Sequence, residues 1–266
     1  MKSFQKIVKY IAIALSIAVL VGLATIISDF FDLLDTNSKS DKENLVELTL
    51  ANDEFTDLSI EIEASSLEIK LSDKLQVFTN SDKVSCKIKN NTLFIKEKDK
   101  SFVKNDEKSV VLYLPTDFTA DAVKIEGGAG KILIDSLFCN ELNFKIGAGS
   151  VVLTNLNVTS KAEIVGGVGS FDINNAKINT FDIVLGVGSA NVTAKICNGK
   201  IQSGIGDLVL NLKGDMSDYT IRSEAGIGDI LVDNERIEGT ATTGDGDNVI
   251  NISGGISSIK VSFVSE

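Results

Sequence analysis

The stretch that decides the fold is VKIEGGAGKILI, residues 123–134, because it is the first regular copy of a unit that returns along the rest of the chain. Its Gly-x-Gly tripeptide occurs seven times, and the first glycines of successive copies are 19, 20, 19, 18, 22 and 18 residues apart. A repeat of about 19 residues is too short for a pair of helices or a propeller blade, and it is typical of one coil of a parallel β-solenoid. The tripeptides begin at Gly128, Gly147, Gly167, Gly186, Gly204, Gly226 and Gly244.

Apolar residues alternate with polar ones on both sides of each tripeptide, which predicts strands with one buried face. The middle residue of the tripeptide is also apolar in six copies, and we expect it to face inward, so that Asp245 in the seventh copy marks the start of a terminal cap. The predicted buried columns are Ile125, Phe144, Ile164, Ile183 and Ile201; Ile132, Val151, Phe171, Ala190, Leu208 and Ile230; and Ile134, Leu153, Ile173, Val192, Leu210, Val232 and Ile250.

The glycines themselves allow two interpretations. A loop that cradles a dinucleotide phosphate carries one Gly-x-Gly-x-x-Gly between a strand and a helix. Here the third glycine is missing from every copy, no copy begins a helix-like pattern, and the tripeptide is repeated seven times. We therefore predict that the glycines are structural and form sharp corners where stacked coils leave no room for a Cβ atom.

Residues 7–27 are predicted to form a transmembrane helix. This run of 21 residues would be about 31 Å long as a helix, enough to cross a bilayer core. Lys2 and Lys6 precede it, Lys9 lies near its start and aspartates follow it, so residues 1–6 are expected in the cytoplasm and the rest of the chain outside. A cleaved signal peptide is the alternative.

The remainder is predicted to comprise a polar tether, residues 28–44, and an extracytoplasmic β-solenoid, residues 45–266, with regular coils over 121–266. Ile60, Ala64, Ser65, Leu67 and Ile69 reproduce the spacing of the first regular coil without its glycines. Such a degenerate coil is expected near the end of a solenoid.

Two further segments of the solenoid have a predicted local structure. Asn90-Asn91 lies between two alternating stretches and predicts a hairpin or corner turn. Lys96–Lys108 mixes lysines with acidic residues, which indicates a solvated insertion between coils.

The amino-acid composition argues against several classes of function. The net charge of −11 argues against binding to nucleic acid or to anionic lipid head groups. The chain has no histidine, the usual general base near neutral pH and the commonest transition-metal ligand, so we expect neither an enzyme nor a bound cofactor.

The three cysteines are predicted to be free. Cys139 and Cys197 fall in one column three coils apart, roughly 14 Å, which is too far for a disulfide. Together with Cys86 they are interpreted as small apolar side chains.

One set of acidic residues raises the question of calcium. Asp207, Asp229 and Asp247 each follow a Gly-x-Gly directly and are expected to stack on consecutive coils. They would either splay into water or share a calcium ion. In the known calcium-binding nonapeptide the aspartate comes one residue later, which favours the first interpretation.

The pattern as a whole resembles a known family. A short apolar N-terminal segment, degenerate strands, the segment VVLYLPTDF at residues 110–118 and the repeats that begin at residue 123 are similar to the bacterial putative-adhesin β-solenoid domains. That resemblance implies an envelope role and carries no catalytic or ligand residues. We expect a membrane-anchored, non-catalytic module that binds an envelope protein or glycan. The alternatives are a structural solenoid that stacks end to end and a β-helix enzyme acting on polysaccharide.

Overall fold

The computed structural model describes residues 45–50, 54–98 and 108–265. They belong to one structural unit, Leu45–Glu266. The predicted cytoplasmic tail, transmembrane helix and tether lie outside the described residues. Within the described ranges, no helix is long and apolar enough to cross a bilayer.

The described chain is built almost entirely of β-strands. The longest strand, β8 (Ala120–Lys213), runs without interruption through five of the Gly-x-Gly corners. A short 3-10 helix, Met216–Asp218, follows it. The strands are β1 Val46–Glu47, β2 Asp57–Ile62, β3 Ser66–Ser72, β4 Gln76–Thr79, β5 Val84–Lys89, β6 Thr92–Glu97, β7 Ser109–Pro115, β8 Ala120–Lys213, β9 Tyr219–Glu224, β10 Ile230–Val232, β11 Glu235–Ile237, β12 Thr240–Thr243 and β13 Asn248–Val264.

The predicted apolar columns form the core. Ile125, Phe144, Ile164, Ile183 and Ile201 are all buried, and so are the two columns that follow the glycines. Polar residues alternate with them along β8, as a strand with one buried face requires. The solenoid prediction is therefore confirmed for the middle of the chain.

At the N-terminal end the coils are not stacked in chain order. The coil formed by β2 and β3 lies between β8 and the coil formed by β6 and β7. Ile60 pairs with Ile125, and Leu67 with Ile132, so the predicted degenerate coil is confirmed residue for residue. The outermost coil comes later in the sequence than the coil it covers.

The same inversion occurs at the C-terminal end. β13 pairs in parallel with the last coil of β8 on one side and with β9 and β10 on the other. The final strand of the chain is thus inserted beneath the outermost coil. At both ends of the solenoid, the outermost coil is followed in the sequence by a strand that lies closer to the middle of the solenoid.

The expectation of a purely parallel sheet was wrong at the ends. Antiparallel strands cover both outermost coils: β4 and β5 at one end, and β11 and β12 at the other. Two of these pairs are hairpins with two-residue turns, Asn90-Asn91 as predicted and Asp233-Asn234, and all four turn residues have positive φ. Antiparallel strands interrupt the open parallel edge that would otherwise recruit other chains.

Three details of the last coils differ from the sequence prediction. The corner of β13 is Gly255-Ile256-Ser257, which pairs with Ile205 and Gly206, so a serine replaces the second glycine. Gly244-Asp245-Gly246 is not a solenoid corner: added Cβ atoms at these glycines would meet the backbone of Asp218 and Tyr219. Ile250 accordingly pairs with Gly199, and Val261 occupies the position in the buried column that was predicted for Ile250.

Candidate functional site

The predicted acidic column is not formed. Ser258 pairs with Asp207 and is followed by Ile259, the partner of Ile230, so Ser258 lies between Asp207 and Asp229. The two aspartates are therefore two strand spacings apart, roughly 10 Å. Asp247 precedes Asn248, the partner of Tyr219, and lies on a different strand face. The three residues do not stack on consecutive coils because β13 is inserted between β8 and β10.

Asp229 has a different neighbour instead. Its Oδ1 lies 2.6 Å from Nη2 of Arg236 on β11, in an exposed ion pair. Among the residues that the structure describes, no group of three or more acidic or cysteine side chains is placed to hold a metal ion. Asp207, Asp229 and Asp247 are thus three separate surface carboxylates.

The cysteines of the described chain are all free. Burial raises the pKa of Cys139 to about 12 and that of Cys86 to about 11, so both are protonated thiols near neutral pH. One placement differs from the prediction: Ile196 is buried, whereas Cys197 beside it is only half-buried. The repeat that contains Cys197, from Gly186 to Gly204, has 18 residues rather than 19, and Ile196 therefore takes the buried position predicted for Cys197.

None of the middle residues of the tripeptides is buried, contrary to the prediction. Ile205, Ile256 and Ile227 are 50%, 54% and 72% exposed and are neighbours on successive coils. Tight stacking of the two flanking glycine backbones turns the residue between them away from the core. These residues form an apolar ridge along one corner of the solenoid.

A shallow depression of about 490 Å³ lies on the strand face that precedes this corner. It spans β6, β2 and the first three coils of β8, and the polar side chains that line it point outward from alternate strand positions. Because these strands come from three separate parts of the chain, the depression exists only after the coils have stacked. Its lining includes Ser59, Thr92, Ala122 and Asn143.

Lysines and carboxylates alternate across the depression. Lys124 Nζ lies 3.1 Å from Glu126 Oε2, and Lys161 Nζ lies 2.5 Å from Glu163 Oε1. Lys161 also contacts Asp182 at 2.9 Å, and its hydrogen bonds to Glu163 and Asp182 raise its pKa. In total the lining holds three lysines and four carboxylates, so the surface is close to neutral.

Some polar groups in the depression have no partner. Asn143 Nδ2 donates to Glu163 Oε2 at 3.2 Å, but the buried Oδ1 of the same side chain accepts no hydrogen bond from any described residue. Lys145 and Glu141 line the depression without an ion pair to any described residue.

Sequence reasoning missed this surface, although one signal was present. Opposite charges two residues apart on a strand, as in Lys124-x-Glu126 and Lys161-x-Glu163, point to the same face. What the sequence did not supply was the neighbouring coil of β2 and β6.

A buried carboxylate was missed as well. Glu97 lies in the segment predicted to be a solvated insertion, yet its side chain is fully buried at the end of β6. It accepts hydrogen bonds from the main-chain N–H groups of Glu63, Ala64 and Ser65 at 2.8, 3.0 and 3.2 Å, and from the Ser65 hydroxyl at 2.9 Å. Lys108 Nζ is 4.0 Å away. Glu97 is therefore a structural part of the corner between β2 and β3.

Comparison with known proteins bears on the fold. The sequence profile described as Toastrack DUF4097 matches residues 42–255. No curated protein of known function matches the sequence.

The solved structures that match most of the chain have low sequence identity to it. A putative cell adhesion protein from Clostridium sporogenes is 14% identical, with 83% of this chain and 99% of that one covered and a TM-score of 0.39. A putative adhesin from Bacteroides fragilis is 18% identical, with 82% and 97% covered and a TM-score of 0.42. A putative lipid binding protein from Parabacteroides distasonis is 11% identical, with 82% and 95% covered and a TM-score of 0.43.

Proposed function

The chain belongs to the Toastrack DUF4097 family, and we propose that it is a non-catalytic binding module, anchored in a bacterial membrane by residues 7–27 and displayed on the outer side. The observation that carries the binding role is the shallow depression, where Lys145 and Glu141 line a concave surface and form no ion pair with any residue that the structure describes. A surface with unused hydrogen-bonding groups in a concave setting is suited to a ligand.

A binding role is favoured over catalysis by the chemistry of the side chains. The sequence lacks histidine. Two of the cysteines are held as neutral thiols by burial. Two of the carboxylates in the depression are paired with lysines. A general base or nucleophile needs a pKa tuned to its task, and these groups are arranged as ion pairs and packed side chains instead.

The anchored topology is supported by the sequence alone. Residues 7–27 are predominantly apolar, Lys2, Lys6 and Lys9 lie before or at the start of this run, and aspartates follow it, which favours an N-terminus that stays inside and a solenoid outside. The end-to-end polymer is disfavoured because antiparallel strands cover both outermost coils, so another solenoid would meet no continuous parallel edge there.

Topology can be measured on intact protoplasts that express the full chain. Protease added outside should cut the tether between residues 28 and 44 and release the solenoid into the medium. Complete protection of residues 45–266 in intact protoplasts, with digestion after lysis, would contradict the proposed orientation.

Binding can be measured with the purified full chain in a sugar-free polyoxyethylene detergent. Immobilised protein should retain a component of solubilised bacterial envelope, and the double variant Asn143→Ala/Lys145→Ala should retain much less. The matched control is Asn157→Ala/Lys131→Ala, which removes the same side-chain types outside the depression. Equal retention by both variants would show that binding does not depend on this surface.

A further inference from the structure

We propose that two copies of this chain pair side by side and antiparallel along their glycine corners, an inference that goes beyond the binding role and does not use the depression. The contact surface is the corner row, which consists of the middle residues of the stacked corners and has the apolar ridge at one end. In stacking order the corner row is Ala64, Ala129, Ala148, Val168, Val187, Ile205, Ile256 and Ile227.

The corner row is the main exposed apolar surface of the described chain. Six of the eight exposed large hydrophobic side chains in the described ranges lie in the row or directly beside it. Contiguous exposed apolar side chains of this kind mark interaction surfaces, whereas isolated ones do not. The six are Val165, Val168, Val184, Ile205, Ile227 and Ile256.

The side chains of the corner row become larger along the stack, from alanine through valine to isoleucine. Two rows facing each other in parallel would meet isoleucine to isoleucine at one end and leave a gap between alanines at the other. In an antiparallel pair the small end of each row lies against the large end of the other, so the contact is even. A two-fold axis perpendicular to the row produces this arrangement, and two-fold pairs are the commonest homo-oligomers.

Two charges beside the row define its register. Lys131 and Asp207 each follow the second glycine of their corner, both are exposed, and neither forms an ion pair with a described residue. Lys131 lies two coils before Val168 in the stack and Asp207 two coils after it, each about 10 Å away along the stack. A two-fold axis at Val168 therefore places Lys131 of each copy opposite the partner's Asp207, which gives two intermolecular ion pairs.

The residues between these two charges allow a close approach. Ser150, Ser170 and Ser189 occupy the corresponding positions of the three coils that separate Lys131 from Asp207. Their side chains are small and uncharged, so the partner's corner row can pack beside them without burying an unpaired charge.

Neighbouring registers fit less well. Moving the axis half a coil toward Val187 would place Glu61 opposite the partner's Glu224, and like charges repel. Moving it half a coil the other way would place both Lys131 and Asp207 opposite serines, so neither ion pair would form.

The pair is expected to form at high local concentration, as on a membrane. A row one side chain wide buries less than the ~800 Å² per partner of a standard interface, so association in dilute solution should be weak. The predicted tether, residues 28–44, can span up to ~56 Å when extended. That is more than the ~38 Å from the first to the last coil of the described solenoid, so two chains anchored in one membrane can pair antiparallel.

Cross-linking of the concentrated full chain in detergent with a short bismaleimide tests the arrangement. The wild type, which carries three cysteines, gives the background. Val168→Cys lies on the axis and should form a cross-linked dimer well above that background. Ile205→Cys alone should not, because its copy lies four coils away, but it should cross-link when mixed with chains that carry Ala129→Cys. Dimer from Ile205→Cys alone and none from Val168→Cys would overturn the antiparallel pairing.

Charge exchange tests the register. Added to Val168→Cys, either Lys131→Glu or Asp207→Lys should lower the yield of dimer roughly tenfold, because two ion pairs become two repulsions. The combined exchange Lys131→Glu/Asp207→Lys should restore the yield, since opposite charges again face each other. Melting curves of all variants verify folding. A combined variant no better than the single ones would overturn the register.

The same variant identifies the occupant of the corner row in bacterial membranes. Val168→Cys should cross-link to a second copy of the chain there as well. Cross-linking to a different protein or to lipid, without a dimer, would show that the occupant is not a second copy and that the pairing is wrong. Neither measurement involves retention of envelope material, so this inference and the proposed function can fail separately.

Discussion

In the middle of the solenoid the corners of β8 are closed by pairs of glycines, whereas the corner between β2 and β3 has none. In the regular coils, the second glycine has a positive φ, and an added Cβ would lie 1.8–1.9 Å from a carbonyl oxygen of the coil beneath, at Gly149, Gly169, Gly188 and Gly206. At the N-terminal corner Glu63 and Ser65 take the places of the two glycines, and the Glu97 carboxylate accepts hydrogen bonds from the N–H groups of Glu63, Ala64 and Ser65.

The difference shows that a neighbouring repeat satisfies the backbone of a corner inside the solenoid, whereas a corner at the end needs a side chain to do so. Inside the solenoid each coil packs against the backbone of a similar coil, so glycines are sufficient to form the stacked corners. Beside the β2–β3 corner, β6 ends at Glu97 without a matching Gly-x-Gly, and main-chain N–H groups there would be left without acceptors. One buried carboxylate takes the place of a row of carbonyl groups.

The largest effect is expected from breaking a regular corner. Gly169→Val would force a branched side chain to a φ of +142° with Gly149 O at 1.8 Å, so it should destabilise the fold by at least about 4 kcal/mol or prevent folding. Thermal melting of the purified full chain in detergent measures this.

Gly214→Val is the control for that prediction. Gly214 also has a positive φ, +117°, but the nearest atom to an added Cβ is the Asp218 carboxylate, which can move. It should cost about 1–3 kcal/mol. Similar melting temperatures for the two variants would contradict the role of coil stacking.

Removing the end cap should have an intermediate effect. Glu97→Ala leaves three N–H groups and a hydroxyl without their acceptor and should destabilise the protein by about 2–4 kcal/mol. Glu61→Ala, which removes an exposed carboxylate paired with Lys96 in the same region, should cost no more than about 1 kcal/mol. Chemical denaturation of both variants provides the comparison.

The Glu97 effect should also depend on pH. Burial alone would raise the pKa of Glu97, but hydrogen bonds from Ala64, Glu63 and Ser65 outweigh it and hold the pKa below the ordinary 4.5. A lowered pKa in the folded state contributes stability above pH 4.5, and that contribution is lost as the pH falls through the folded-state value. The gap between wild type and Glu97→Gln should therefore be constant near neutral pH and shrink below 4.5; a constant gap down to the acid limit would rule the cap out as its source.

The smallest effect is expected at Asp229, at the opposite end. Asp229→Asn removes an exposed ion pair with Arg236 and should lower stability by no more than about 1 kcal/mol. Calcium should not raise the melting temperature of either form, because Asp207, Asp229 and Asp247 lie apart. A calcium-dependent rise of several degrees that the variant loses would show that a cation site forms there after all.

Much of the middle of the fold could be predicted from the sequence. The 19-residue period, the buried columns beginning at Ile125 and the match of Ile60 to Ile125 depend on local alternation and spacing, which survive in the folded chain unchanged. The same pattern gave a wrong prediction at the C-terminus. Gly244-Asp245-Gly246 has the Gly-x-Gly sequence but does not form a solenoid corner, and Gly255-Ile256-Ser257 forms a corner although it lacks the second glycine.

The candidate site shows the limit more clearly. Lys124, Glu126, Asn143 and Lys161 could each be placed on an outward face from alternation alone, but their common depression with Ser59 and Thr92 depends on β2 and β6 stacking against β8. Those contacts join residues that are distant in the chain, and no local pattern encodes the order in which coils are stacked.

The sequence by itself determined the repeat, the strands, the apolar interior and the positions of most glycine corners, because each follows from the chemistry of residues a few positions apart. Only the tertiary structure decided the inverted order of the end coils, the antiparallel caps, the buried Glu97 and the separation of Asp207 from Asp229. The physical reason is that an exposed solenoid end must satisfy its backbone groups with whatever chain can reach it, and that choice is made by packing over long sequence distances.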